Sequence, residues 1–194
     1  MSAVVDLFAP AALRAVPDEL FQGAHVVEKS DLSALPVLCL DLGQHMGYAY
    51  RTSACVISGA MNWTLRARDS HGHRLLRIWR WLHRIQEAAP LSLIAYEIVH
   101  HMGEKQVMAA HAWAQYQGVV EMFAARKEIP IKTIAVSTLK KAITGRGSKH
   151  PKAEGQTGSE AAKEAMMAAV MARGFAPTSH DEADALGILL WATR

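Results

Sequence analysis

Four carboxylates in this chain stand where a charge needs a reason. Asp41 closes the apolar run Val37-Leu38-Cys39-Leu40, and Glu97 closes a second such run that begins at Leu91. A carboxylate at the end of a buried strand is costly unless it is paired or coordinates a metal. Asp181 and Asp184 lie three residues apart, which puts both on one face of a helix, with His180 and Glu182 beside them. Hard divalent cations such as Mg²⁺ favour carboxylate oxygens, and a pair of them can hold both the attacking water and the leaving oxygen of a phosphodiester. Each acid also has a plain role. Asp41, before Leu42-Gly43, suits a turn, Glu97 suits a strand edge, and Asp181 and Asp184 suit the positive end of a helix dipole. Their joint occurrence on elements able to converge favours the chemical role.

Positioning such a set requires the two strands to be parallel neighbours, so that their carboxyl ends meet at one edge of a sheet, where α/β folds commonly place their sites. The pattern allows this. Residues 37–40 read as a strand buried on both faces, and residues 47–51 and 54–59 are β-prone pieces split by polar turn residues, so a three-stranded antiparallel meander is expected. Leu75, Ile78, Trp79, Leu82 and Ile85 repeat at helical spacing, with Arg77, Arg80 and Arg84 on the other side. A strand over 91–97, a long helix over 105–127 stopped by Pro130, and a short strand over 131–136 follow. Ser137 is placed to cap a brief helix through Lys141, and residues 144–159 read as a glycine-rich loop. Two last helices are expected over 160–173 and 180–193, the second capped by Ser179. The whole is an α/β fold: a mixed five-stranded sheet flanked by helices on both faces.

Length and composition set bounds. With 194 residues and 51% hydrophobic content, the chain can bury one sizeable core but not two large ones. The expected division is an N-terminal arm over 1–34 and one domain over 35–194. No run approaches the roughly 20 apolar residues of a membrane helix, and Asp6 stands where a signal peptide would be positive, so a cytoplasmic protein with no membrane partner is expected. Cys39 and Cys55 form no CxxC pair, and no structural disulfide is expected. The net charge of +3 is unevenly spread. Residues 1–34 are acidic, whereas residues 66–87 carry six arginines against Asp69 and Glu87, and residues 140–163 carry six lysines and arginines against two glutamates. Clustered positive charge suits a phosphate backbone, although a solvated helix face and a soluble loop read the same way.

Taken in order, the motifs resemble the RuvC family of Holliday-junction resolvases. Asp41-Leu42-Gly43-Gln44-His45-Met46-Gly47-Tyr48 is similar to the family's first-strand motif, Tyr96-Glu97 to its second acid, and Asp181-Glu182-Ala183-Asp184-Ala185-Leu186 to its closing D-x-x-D-A-L. Gln117-Gly118-Val119, Ser137 to Lys141 and Ala162 to Met166 also resemble family segments, so the likeness spans roughly residues 36–192.

The resemblance implies a ribonuclease H-like fold and a structure-selective endonuclease that resolves four-way DNA junctions. Asp41, Glu97, Asp181 and Asp184 would be the catalytic, metal-binding set for two Mg²⁺ ions per site, with Mn²⁺ as a substitute. Lys140 and Lys163 match lysines that would stabilise charge developing on the scissile phosphate. As surface residues of amphipathic helices they would need no such role. The family's homodimeric state implies a two-fold dimer here. The expected DNA contacts are Arg77, Arg80, Arg84, His100, His101, Lys140, Lys141, Arg146, Lys149 and Lys152. Three features depart from the family: the N-terminal arm, a longer loop after Lys141, and His100-His101-Met102 where an aromatic wedge is often found. Competing readings are a ribonuclease H-like nuclease of other branched DNA or of RNA, a non-cleaving branched-DNA-binding module, and an actin-like kinase, which needs a second domain and phosphate motif.

Overall fold

The computed structural model describes residues 24–28, 35–65, 67–98, 107–147, 150–152 and 154–194. Its centre is the strand β2 (Val37–Asp41), where Val37, Leu38, Cys39 and Leu40 are all buried. An apolar run of this kind has no solvent face to offer, so it takes a middle place in a sheet covered on both sides. β3 (His45–Arg51) and β4 (Cys55–Asn62) continue from it as an antiparallel meander. On its other side β2 pairs in parallel with β5 (Leu93–Ile98), which pairs in parallel with β6 (Ile131–Ala135).

Five strands were expected, and the sheet has six among the described residues. β1 (His25–Glu28), inside the stretch read as an arm, adds to the free edge of β4, giving the order β1-β4-β3-β2-β5-β6. Four residues without a long periodic pattern carry little strand signal by themselves. Their pairing is supplied by the exposed ladder groups of β4.

Helices α1 (His71–Ala88) and α2 (Val107–Lys127) cover one face of the sheet. Ile78, Trp81, Leu82 and Ile85 of α1 and Tyr116, Val119, Val120 and Phe123 of α2 join Leu38, Leu40, Tyr48 and Tyr96 in one core. The other face is covered by α3 (Val136–Thr144), α4 (Gly158–Met171) and α5 (His180–Ala192), which pack with Val37, Cys39, Ala49 and Ala95. Alternate residues of β2 and β5 thus serve opposite cores.

Two of the helix starts follow local chemistry as expected, and a third does not. Thr157 and Glu160 form a capping box on α4, and Ser179 Oγ accepts from Glu182 N at 3.1 Å on α5. Ser137 is not the cap of α3. Ala135 holds that place without a side-chain hydrogen bond, because α3 starts directly from the end of β6. Cys39 and Cys55 are buried free thiols. No helix among the described residues is long and apolar enough to cross a membrane.

Candidate active site

The register of the two central parallel strands decides where the first two acids go. Leu40 of β2 is opposite Tyr96 of β5, so Asp41 and Glu97 are the next residues at adjacent strand ends, on strands about 5 Å apart. Side chains alternate along a strand. Val37 and Cys39, like Ala95, face the α3–α5 layer, so Asp41 and Glu97 face it too.

α5 brings the second pair. It lies mainly across β3 and β2, with Leu186, Ile188 and Leu189 buried beneath it, each contributing about 2 kcal/mol through lost apolar exposure. Its first turn comes unusually close to the sheet at Gly47, the cross-strand partner of Asp41. A Cβ on Gly47 would stand 1.8 Å from the carbonyl oxygen of Asp181. Only glycine allows this approach, which carries Asp181 and Asp184 to the end of β2.

The electrostatics register the convergence. Burial raises the Asp41 carboxyl well above its ordinary range, and the charges of Asp184, Glu97 and Asp181 raise it further, against Lys163. Glu97 is pushed up to about 7 by burial and by Asp184, with Lys140 opposing. Asp184 rises to about 6, chiefly through burial and then Asp181, against Lys140, Lys163 and His180. Acids from three elements therefore share one neighbourhood, with Asp181 acting on Asp41 and Asp184, and with a lysine from α3 and one from α4 within electrostatic reach. Among the described residues, no three His, Cys, Asp or Glu side chains are drawn into a closed metal cage. The set is nonetheless all carboxylate oxygen and short of positive charge, which fits a hard divalent cation.

Glu182, between the two aspartates, escaped the sequence reading except as a flanking acid. It is fully buried. Ser58 Oγ donates to its Oε1 at 2.7 Å, Thr178 N and Thr178 Oγ1 donate to Oε2 at 2.8 and 3.1 Å, and His25 Nδ1 lies 3.1 Å from Oε1. His25 and Ser58 are themselves cross-strand partners in β1 and β4. A buried carboxylate this well satisfied fixes the rotation of the first turn of α5, and with it the direction of Asp181 and Asp184. The available sequence signal was an acid on the same helical face as the apolar residues Ala185, Leu186 and Leu189.

The expected DNA-contacting residues divide by layer. Lys140 is half-buried and Lys141 exposed on α3, Arg146 is exposed just past it, and Lys152 is exposed before α4. Arg77, Arg80 and Arg84 lie on α1, across the sheet from the acids. Arg77 rests over the Trp63 ring at 5.6 Å, while Arg80 and Arg84 are exposed. His100, His101 and Lys149 lie outside the described residues.

The family model for the crossover junction endodeoxyribonuclease RuvC matches residues 46–191, about three quarters of the chain. The chain belongs to the RuvC family. This RuvC-family chain is a nuclease that resolves Holliday junctions. Its fold is similar to that of Thermus thermophilus RuvC in complex with a Holliday junction substrate, at 16% identity over 81% of this chain and 91% of that one, with a TM-score of 0.59. A second Thermus thermophilus RuvC structure is similar at 19% identity, covering 80% and 92% of the two chains, with a TM-score of 0.58. The yeast mitochondrial Holliday junction resolvase Ydc2 is similar at 12% identity, covering 79% and 75%, with a TM-score of 0.51. No curated protein matches this RuvC-family sequence at a significant level. The family match begins five residues past Asp41, so the place of the first acid rests on the β2–β5 register.

Proposed function

We propose that this chain hydrolyses phosphodiester bonds of four-way DNA junctions at a site where Asp41, Glu97, Asp181 and Asp184 hold two Mg²⁺ ions, with Mn²⁺ as a substitute. The carrying observation is the gathering of four carboxylates from β2, β5 and α5 onto one face of the sheet, where Asp41, Glu97 and Asp184 are all raised by burial and by neighbouring acids. Bound there, the divalent ions would supply Lewis-acid charge to the reacting water and phosphoryl oxygens. The protein's own part is geometric and electrostatic. Asp41 takes the central place because the other three acids all act on it. Lys140 and Lys163 bring positive charge to the rim, where negative charge grows on the phosphate in the transition state. Gly47 admits α5, and Glu182 sets its rotation.

Lys141, Arg146 and Lys152, on the same side as the acids, would hold the strand being cut, together with Lys149. Arg77, Arg80 and Arg84, on the far layer, would hold phosphates of other junction arms. His100 and His101 would stack on bases near the crossover. Cutting two strands of one junction calls for two sites, hence a two-fold homodimer. Residues 35–194 form the nuclease domain, to which the stretch 1–34 adds the edge strand β1, and the enzyme acts in the cytoplasm. The test is Asp41→Asn on a synthetic four-way junction with Mg²⁺. Cleavage should fall by about three orders of magnitude while junction binding in a chelator is kept. Divalent-dependent cutting retained by that variant would remove Asp41 from the reaction.

A further inference from the structure

A cavity of about 480 Å³ lies on the far side of the β2 end from the four acids, between the first turn of α1 and the N-terminal half of α2. Its size suits a small ligand. Gly43, two residues past Asp41, forms part of its wall, with Ala109 and Trp113 of α2 opposite. Gln44, His71 and Arg74 are among its polar wall residues, and Arg74 is 5% exposed and lies with its guanidinium 5.0 Å from the Tyr116 ring centre. One terminal nitrogen of Arg74 lies 3.1 Å from His71 Nδ1, and its Nε has no hydrogen-bond partner among the described residues. No carboxylate among those residues is within ion-pair distance of it. A buried guanidinium with no counter-charge among the described residues is a costly arrangement that an anion would relieve. The surroundings agree, because the first turn of α1 carries no acid, and the positive end of its dipole adds to the field.

We propose that this cavity is a phosphate-binding site for a nucleotide, with the phosphate on Arg74 and His71 and the base against the Trp113 ring. A planar guanidinium matches phosphate oxygens, and an aromatic face accepts any base. The phosphate could belong to an unpaired nucleotide of the DNA substrate or to a free mononucleotide. Only the first source rests on the nuclease reading.

The probes are thymidine 5′-monophosphate, inorganic phosphate and unphosphorylated thymidine, titrated against the full-length protein by tryptophan fluorescence and thermal melting. A second arm measures four-way junction binding in a chelator. Arg74→Met removes the charge. Ala109→Phe, at an exposed position of the cavity wall, fills the space without removing any buried group. Thymidine monophosphate should bind the wild type, and both variants and plain thymidine should bind about tenfold more weakly. If Ala109→Phe also weakens junction binding by about fivefold or more, the phosphate belongs to the strand. If it loses the mononucleotide but binds the junction normally, the ligand is the free nucleotide. The proposal is overturned if no phosphate probe binds the wild type, if thymidine binds as well as its monophosphate, or if Ala109→Phe changes only the oligomeric state. Cutting by Asp41→Asn would remove Asp41 from the reaction and leave this site standing.

Discussion

Gly47→Ala is the substitution that most directly probes how the acids are brought together. The added Cβ would lie 1.8 Å from Asp181 O, 2.3 Å from Asp181 C and 3.0 Å from Glu182 N, all of them backbone atoms. No rotamer change can relieve such a clash. Contact at an ordinary distance requires the first turn of α5 to retreat by about 1.5 Å. Overpacking of this kind costs about 1–3 kcal/mol of stability, whereas a displacement of about 1 Å at a catalytic centre costs about 10²-fold in rate. Single-turnover cleavage of a four-way junction should therefore fall at least about a hundredfold, with junction binding in a chelator kept within about threefold. Gly118→Ala is the matched control, because nothing lies within 4 Å of its Cβ position on α2. That variant should cleave normally and gain about 0.5–1 kcal/mol in unfolding experiments. Folded Gly47→Ala cleaving within about threefold of the wild type would refute the claim that a glycine gap positions Asp181 and Asp184.

The remaining expectations concern the same cluster. Glu182→Ala leaves the Ser58 hydroxyl and the Thr178 amide without their acceptor, and should lower stability in urea unfolding by about 3 kcal/mol, with Glu182→Gln costing less. Metal-free protein should lose stability as pH rises. Glu97 at about 7 and Asp184 at about 6 bind their protons more tightly in the folded chain than in the unfolded one, so their contribution is present at pH 5 and lost through pH 7. Thermal melts at pH 5 and pH 8 should show that order, and saturating Mg²⁺ should shrink the difference; a metal-free protein more stable at pH 8 would contradict it. Lys140→Met should slow single-turnover cleavage by about 10–100-fold with little change in junction binding, since its charge acts on Glu97 and Asp184. An equal loss in binding would make Lys140 a phosphate anchor.

The central strands and the four acids were legible because their signals are local. An unbroken apolar run such as Val37 to Leu40 can satisfy itself only between two covered faces, and an acid at its end marks the sheet edge. Ser179 as a cap and the spacing of Asp181 and Asp184 are likewise written within one turn of helix. What tertiary structure decided depends on residues distant in the chain. Glu182 becomes a buried anchor only because Ser58, 124 positions away, and His25, 157 positions away, meet it across the sheet. The strand β1 exists because β4 offers an unpaired edge, and nothing in four residues announces that. The clustered arginines of α1 marked a basic surface, but charge pattern alone left open that they lie across the sheet from the acids. Arg74 in particular is buried against Tyr116 rather than exposed. Propensity and periodicity act over a few residues, whereas the partner of a buried charge is chosen by the packing of the whole sheet.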